Sequence, residues 1–122
     1  MHTKSEMDDA INVIASIIDQ AVKAQCKFAE GTSQYTLQKN RIAALHIASS
    51  LIAQESAGNC IANIYSKKDL EKAVAPLASL ISKSEKAQQK LNEDTWQYKM
   101  LENNLKALYI ASPLLNKALS HV

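Results

Sequence analysis

The chain has a single arginine, and it stands five residues before a histidine in the stretch Arg41-Ile42-Ala43-Ala44-Leu45-His46. A guanidinium presents a planar fork of donors to a phosphate or carboxylate, and an imidazole exchanges a proton near neutral pH. Together they have the parts for phosphate binding with assisted proton transfer. Five positions along a helix amount to a rotation of about 500°, which does not stack the two side chains on one face. The plainer expectation is that Arg41 flanks an apolar seam and His46 is a half-buried helical side chain.

On a helix of a small all-helical protein, the Arg-x4-His spacing resembles the motif of the HEPN ribonuclease superfamily. The resemblance covers six residues and implies that Arg41 holds a phosphate while His46 assists proton transfer. Two features depart from the family pattern: Ile42 follows the arginine where a polar residue is usual, and the motif falls in the second of four expected helices rather than late in the bundle.

Other polar residues are candidates for binding rather than catalysis. Lys23 and Lys27, with Lys83, Lys86 and Lys90, make basic stripes at helical spacing. Such stripes usually form a solvated face, and Asp19 and Glu85 lie among them; Lys86 and Lys90 are the candidates for contact with an anionic ligand or a partner. Gln25 and Gln88 fall on apolar seams, where a polar pair can fix register or line a pocket between the two halves of the molecule. Tyr35, Trp96 and Tyr98 gather at the starts of two helices, where aromatic side chains either close the core end or form a contact patch.

Neither a Glu-x-x-His pair, nor a glycine-rich phosphate loop, nor a nucleophile elbow is present, so no cofactor or metal site is expected. Cys26 and Cys60 form no CxxC, which suggests a reduced, cytoplasmic setting without a disulfide framework. His2 and His121 are expected to be mobile. Fourteen basic and twelve acidic residues give a net charge of +2 with the signs interspersed, a balance unlike that of a dedicated nucleic-acid binder. The start, MHTKSEMDD, is polar, and no apolar run is long enough for a signal peptide or a spanning helix.

The elements that carry these residues are legible because the chain repeats itself. Residues 3–54 aligned with 66–117, at a constant offset of 63 and without a gap, are identical at 20 of 52 positions. The shared phrases include EGTSQY at 30–35 against EDTWQY at 93–98. Coincidence between two amphipathic helices would match apolar positions but not an ordered polar phrase, so the chain is an internal duplication. Only two glycines and two prolines interrupt residues of high helix propensity, which predicts long helices and few turns.

In each copy the first helix has an apolar seam, Met7, Ile11, Ile14, Ile18, Ala21 and then Phe28 in one, Leu70, Val74, Leu77, Ile81 and then Leu91 in the other, widened by Ala10, Val13 and Ile17 or their counterparts. Thr3 with Glu6 and Ser66 with Asp69 make capping-box-like starts. The second helix, about 34–54 and again 97–119, has a broad apolar face, as expected of a helix packed against two neighbours. Thr32 and Thr95 are expected to cap these second helices. Ser56-Ala57-Gly58-Asn59 reads as a stop, and Cys60, Ile61 and Ile64 are expected to close one end of the core. Pro76 and Pro113, inside helical patterns, predict a kink or a broken turn at each.

The expected fold is all-α: an up-down four-helix bundle of two tandem αα-hairpin repeats with pseudo-twofold symmetry. It is a single domain over 1–122, with repeat 1 at about 3–54, a linker at about 56–65 and repeat 2 at about 66–117. The phrase EGTSQYTLQKNRIAALHIASSLI and its counterpart resemble small uncharacterised helical proteins of Gram-positive bacteria and their mobile elements. That resemblance spans most of the chain and brings no activity with it. The functional expectation is a non-enzymatic protein-interaction or regulatory helical module, with self-association as a homodimer in view. The alternatives are binding of an anionic metabolite or nucleotide between the repeats, and a HEPN-like ribonuclease. Neither a membrane nor nucleic acid is an expected partner.

Overall fold

The computed structural model describes residues 3–58 and 65–120. Four helices follow one another in sequence: α1 (Lys4–Gln25), α2 (Ser33–Ser56), α3 (Lys67–Gln89) and α4 (Trp96–Ser120). Each helix start in the second repeat lies 63 residues after its counterpart in the first. The capping residues repeat in the same register: Thr3, Thr32 and Ser66 each accept a hydrogen bond from the backbone N–H three residues on, and Thr95 accepts one from Tyr98. Only Thr3 completes a reciprocal capping box, with the Glu6 carboxylate accepting from its backbone N–H. These caps satisfy backbone donors that the first turn of a helix otherwise leaves unpaired.

The helices form an up-down bundle in which α1 touches α2 and α4, and α3 touches α4 and α2. Across the middle, α2 meets α4, whereas α1 and α3 do not meet. The second helix of each repeat therefore has three neighbours rather than the two expected from its broad apolar face, because α2 and α4 also meet across the middle, while the first has two. Ala44 and Ala48 on α2, and Ala107 and Ala111 on α4, are buried at one-turn spacing. Their small side chains let the central helices approach closely.

The core obeys the duplication. Ile14 and Leu77, Leu45 and Leu108, and Ile52 and Leu115 are buried counterparts, and Ile47 and Ile110, outside the expected seams, are buried as well. Three expected seam residues lie instead on the outside: Phe28, Leu37 and Val74 are exposed. Phe28 follows the end of α1, and Leu37 and Val74 sit at the edges of the buried stripes on their helices.

Pro76 and Pro113 do not break their helices: α3 and α4 run continuously through them. A proline in a helix frees the carbonyl four residues earlier, here that of Lys72 or Tyr109. Both of those residues are exposed, so water can take up the freed acceptor. At the end where α1 begins and α2 stops, the Ser56 hydroxyl donates to Asp8 and the Tyr65 hydroxyl donates to Ser50. Gly58, just past the α2 C-cap, takes a positive φ of 74°, the backbone shape that commonly ends a helix. The core closure expected of Cys60, Ile61 and Ile64, and the mobility expected of His2 and His121, lie outside the described residues. No helix among the described residues is long and apolar enough to cross a membrane.

Candidate functional site

Both hairpin corners lie at one end of the bundle, which follows from the up-down order. Each corner ends in a turn closed by a threonine N–H, Thr32 to the Ala29 carbonyl and Thr95 to the Asn92 carbonyl. Of the six large apolar side chains exposed among the described residues, Phe28 and Trp96 lie at these corners, and Val22 and Leu37 lie about one turn inside α1 and α2. Trp96, the first residue of α4, is 67 % exposed, and its counterpart in the first repeat is Ser33. Tyr98, two residues after Trp96, and Tyr35, the counterpart of Tyr98 in the first repeat, are half-buried, with their backbone N–H groups bonded to the capping threonines. The aromatic gathering is thus split: the tyrosines lie partly in the core end and the tryptophan stands in solvent.

Arg41 and His46 lie on different faces of α2. Arg41 is buried, with 6 % of its surface exposed, whereas His46 is exposed. Within one chain the structure does not bring the pair together on one substrate, and the half-burial expected of His46 is not seen. Its position lies outside the stripe of Ala44, Leu45, Ala48 and Leu51 that α2 buries.

Arg41 stands in an unusual setting. Its Nε is enclosed without a hydrogen-bond partner, and no described side chain pairs with the guanidinium. Burial pulls its pKa down from the ordinary arginine value, yet a guanidinium stays cationic at neutral pH. It lines an open cavity of about 400 Å³ between α2 and α3, together with Leu37, Ser79, Ser82, Lys83 and Lys86. The lining holds three cationic side chains and two hydroxyls, and no acid.

Repeat 1 could have made the same cavity between α1 and α4. The corresponding residues there are Met100, Asn104, Ser16, Asp19, Gln20 and Lys23, one cation and one anion in place of three cations. The two copies have therefore diverged in charge at this place while keeping the same core.

Two further grooves obey the symmetry. One, of about 520 Å³ between α1 and α4, has Ala10, Ala107 and Ile110 in its lining, with Glu6, Asp9 and Lys106. Its smaller relative between α3 and α2 has Ala73, Ala44 and Ile47 there, with Asp69, Lys72 and Ala43. Gln25 and Gln88, expected as a pair, sit on helices that do not meet; both are half-buried, and the Gln88 amide donates to the Tyr98 carbonyl. Lys90 is the exposed C-cap of α3, and Cys26 is the exposed C-cap of α1. No cluster of metal-ligating side chains occurs among the described residues.

The sequence reading singled out Lys86 but missed the company it keeps. The available signal was the register of Arg41, four residues after Leu37 and three and four before Ala44 and Leu45. A charged side chain at such a stripe position is placed toward a neighbouring helix. No protein-family model, curated protein or solved structure matches the chain, so its functional reading rests on this geometry.

Proposed function

We propose that the protein is a non-enzymatic interaction module that self-associates through the corner end of its bundle. The observation that carries this reading is Trp96, 67 % exposed at the first position of α4 where the other repeat has a serine, with Phe28 exposed in the other corner. Exposed aromatic side chains at one end of a bundle favour an interface there, and a tryptophan supplies contact area at little entropic cost.

A second copy is the occupant that the charges favour. Glu30, Glu93 and Asp94 lie in the corners, and Lys23, Lys27, Lys86 and Lys90 lie on the helix ends beside them. A surface carrying both signs in separate places can meet itself across a twofold axis, acid against lysine. Sedimentation velocity over a concentration series tests the reading. The expectation is a concentration-dependent dimer that is lost in Trp96→Ser, with the helical signal unchanged. A wild-type chain that stays monomeric to high micromolar concentration would overturn it.

A further inference from the structure

We propose that the cavity between α2 and α3 is a binding site for a compact, multiply charged phosphate-type anion, held by Arg41 from the first repeat and Lys83 and Lys86 from the second. The inference rests on the α2–α3 flank; it shares Lys86 with the corner end but not Trp96, so anion binding and dimerisation are read by separate variants.

The first observation is the orphaned guanidinium. Enclosing part of a cation without a partner costs hydration, and proteins usually offset that with a carboxylate in contact. Arg41 has none: its Nε is enclosed and unbonded, and the lining beside it is cationic or hydroxylic. A bound anion would supply the missing counter-charge, so the site is incomplete without a ligand.

The second observation is the direction of the divergence between the repeats. The cavity's counterpart positions carry Asn104, Gln20, Lys23 and Asp19, which nearly cancel in charge. Packing does not demand the difference, because the core residues of the two copies match. Accumulating three like charges around one concavity raises the energy of the empty protein and is relieved by an anion.

The chemistry of the lining narrows the ligand. Three cations and the hydroxyls of Ser79 and Ser82 offer many donors, which suits a dianionic or trianionic group with several acceptor oxygens better than a single carboxylate. No aromatic side chain lines the cavity, so it has no platform for stacking a base. About 400 Å³ lies near the lower end of the volumes that hold small ligands. A diphosphate or a small phosphate ester fits that description. A nucleic-acid strand does not, since it asks for a track of cations rather than one pocket.

Inorganic pyrophosphate is the probe, titrated calorimetrically into the full chain against sodium chloride of equal ionic strength. Saturable binding is expected, accompanied by a rise in thermal midpoint that grows with pyrophosphate concentration. Lys83→Gln and Lys86→Gln should each weaken binding about ten-fold. Lys23→Gln, at the counterpart of Lys86, should leave it unchanged. Arg41→Met should abolish binding while raising the midpoint of the ligand-free protein, because it removes an uncompensated buried charge. The exposed lysine variants keep the test decisive even if Arg41→Met fails to fold. The proposal is overturned by the absence of saturable binding, or by Lys23→Gln weakening binding as much as Lys83→Gln and Lys86→Gln. It is likewise overturned if a single-stranded RNA binds more tightly than pyrophosphate and depends on the same lysines.

Discussion

The Tyr109 hydroxyl donates a hydrogen bond to the Glu85 carboxylate, joining α4 to α3. At the corresponding positions the first repeat has His46 and Val22, so the link belongs to the second hairpin alone. It also accounts for the different fate of two aligned residues: Tyr109 has an acceptor opposite it, while the counterpart of that acceptor, for His46, is a valine.

This bond gives a pH signature. The carboxylate holds the proton on Tyr109, and its pKa is raised, first by the hydrogen bond to Glu85 and then by lost hydration and the carboxylate's charge. A group whose pKa is raised on folding contributes stability that is fully present below the unfolded value and fades as pH climbs through the folded one. Phenolate absorbance should therefore show one of the four tyrosines titrating above the ordinary range. Glu85→Gln should bring that titration down. Because Tyr109 is exposed, the accompanying change in stability should be small. An unchanged titration curve in Glu85→Gln would contradict the assignment.

The duplication predicts equal losses at paired core positions. Leu45 and Leu108 are both essentially inaccessible, one on each central helix. Leu45→Ala and Leu108→Ala should each lower the unfolding free energy by about 2–5 kcal/mol, the usual range for leucine truncation in a packed core. Urea denaturation of the two variants checks it, and a difference much beyond 1 kcal/mol would show that the halves are packed unequally.

The corners should respond oppositely to exchange. Gly31 has a φ of 87°, whereas no residue other than glycine has a positive φ among those described, so the second corner, with Asp94 in that place, reaches the same closing hydrogen bond, Thr95 to Asn92, by a different turn. A Cβ at Gly31 would meet no atom within 4 Å, and the cost of Gly31→Asp is therefore conformational, about 1 kcal/mol. Asp94→Gly should cost less, being a loosening of the unfolded chain rather than strain. Thermal unfolding of both variants measures the asymmetry, and equal midpoints would refute it.

One repeat alone leaves Leu45, Ala48 and Ile52 without the opposite hairpin. Residues 1–58 by themselves are expected to dimerise or to remain unfolded. A stable folded monomer in analytical ultracentrifugation would sink this prediction.

Much of this architecture was legible because two independent signals agreed. The offset of 63 gave the number of elements, and the caps Thr3, Thr32, Ser66 and Thr95 gave where each begins. Local chemistry determines both, so sequence exposes them. Arg41 was read as a flanking residue because a cation weighs against burial in any apolar pattern, and only the position of α3 shows that two more cations wait beside it. Ser79, Ser82 and Lys83 are polar residues on a helix exterior by any local criterion. Their meeting with Arg41 is a matter of how one hairpin is set against the other. Leu37 and Phe28 failed in the reverse sense: their hydrophobicity marked them for the core, but Phe28 follows the end of α1 and Leu37 sits at the edge of the stripe that α2 buries.

The recurrence of every helix at one interval means that no helix is privileged as the first. α4 ends at the same end of the bundle where α1 begins, and the two helices touch, just as α2 ends where α3 begins. A circular permutant with Ser120 joined to Thr3 through a copy of segment 57–65, and opened within the original segment, should keep the same four neighbours around the same core. Near-native unfolding of that permutant would show that the order of the helices along the chain is a matter of history rather than of stability.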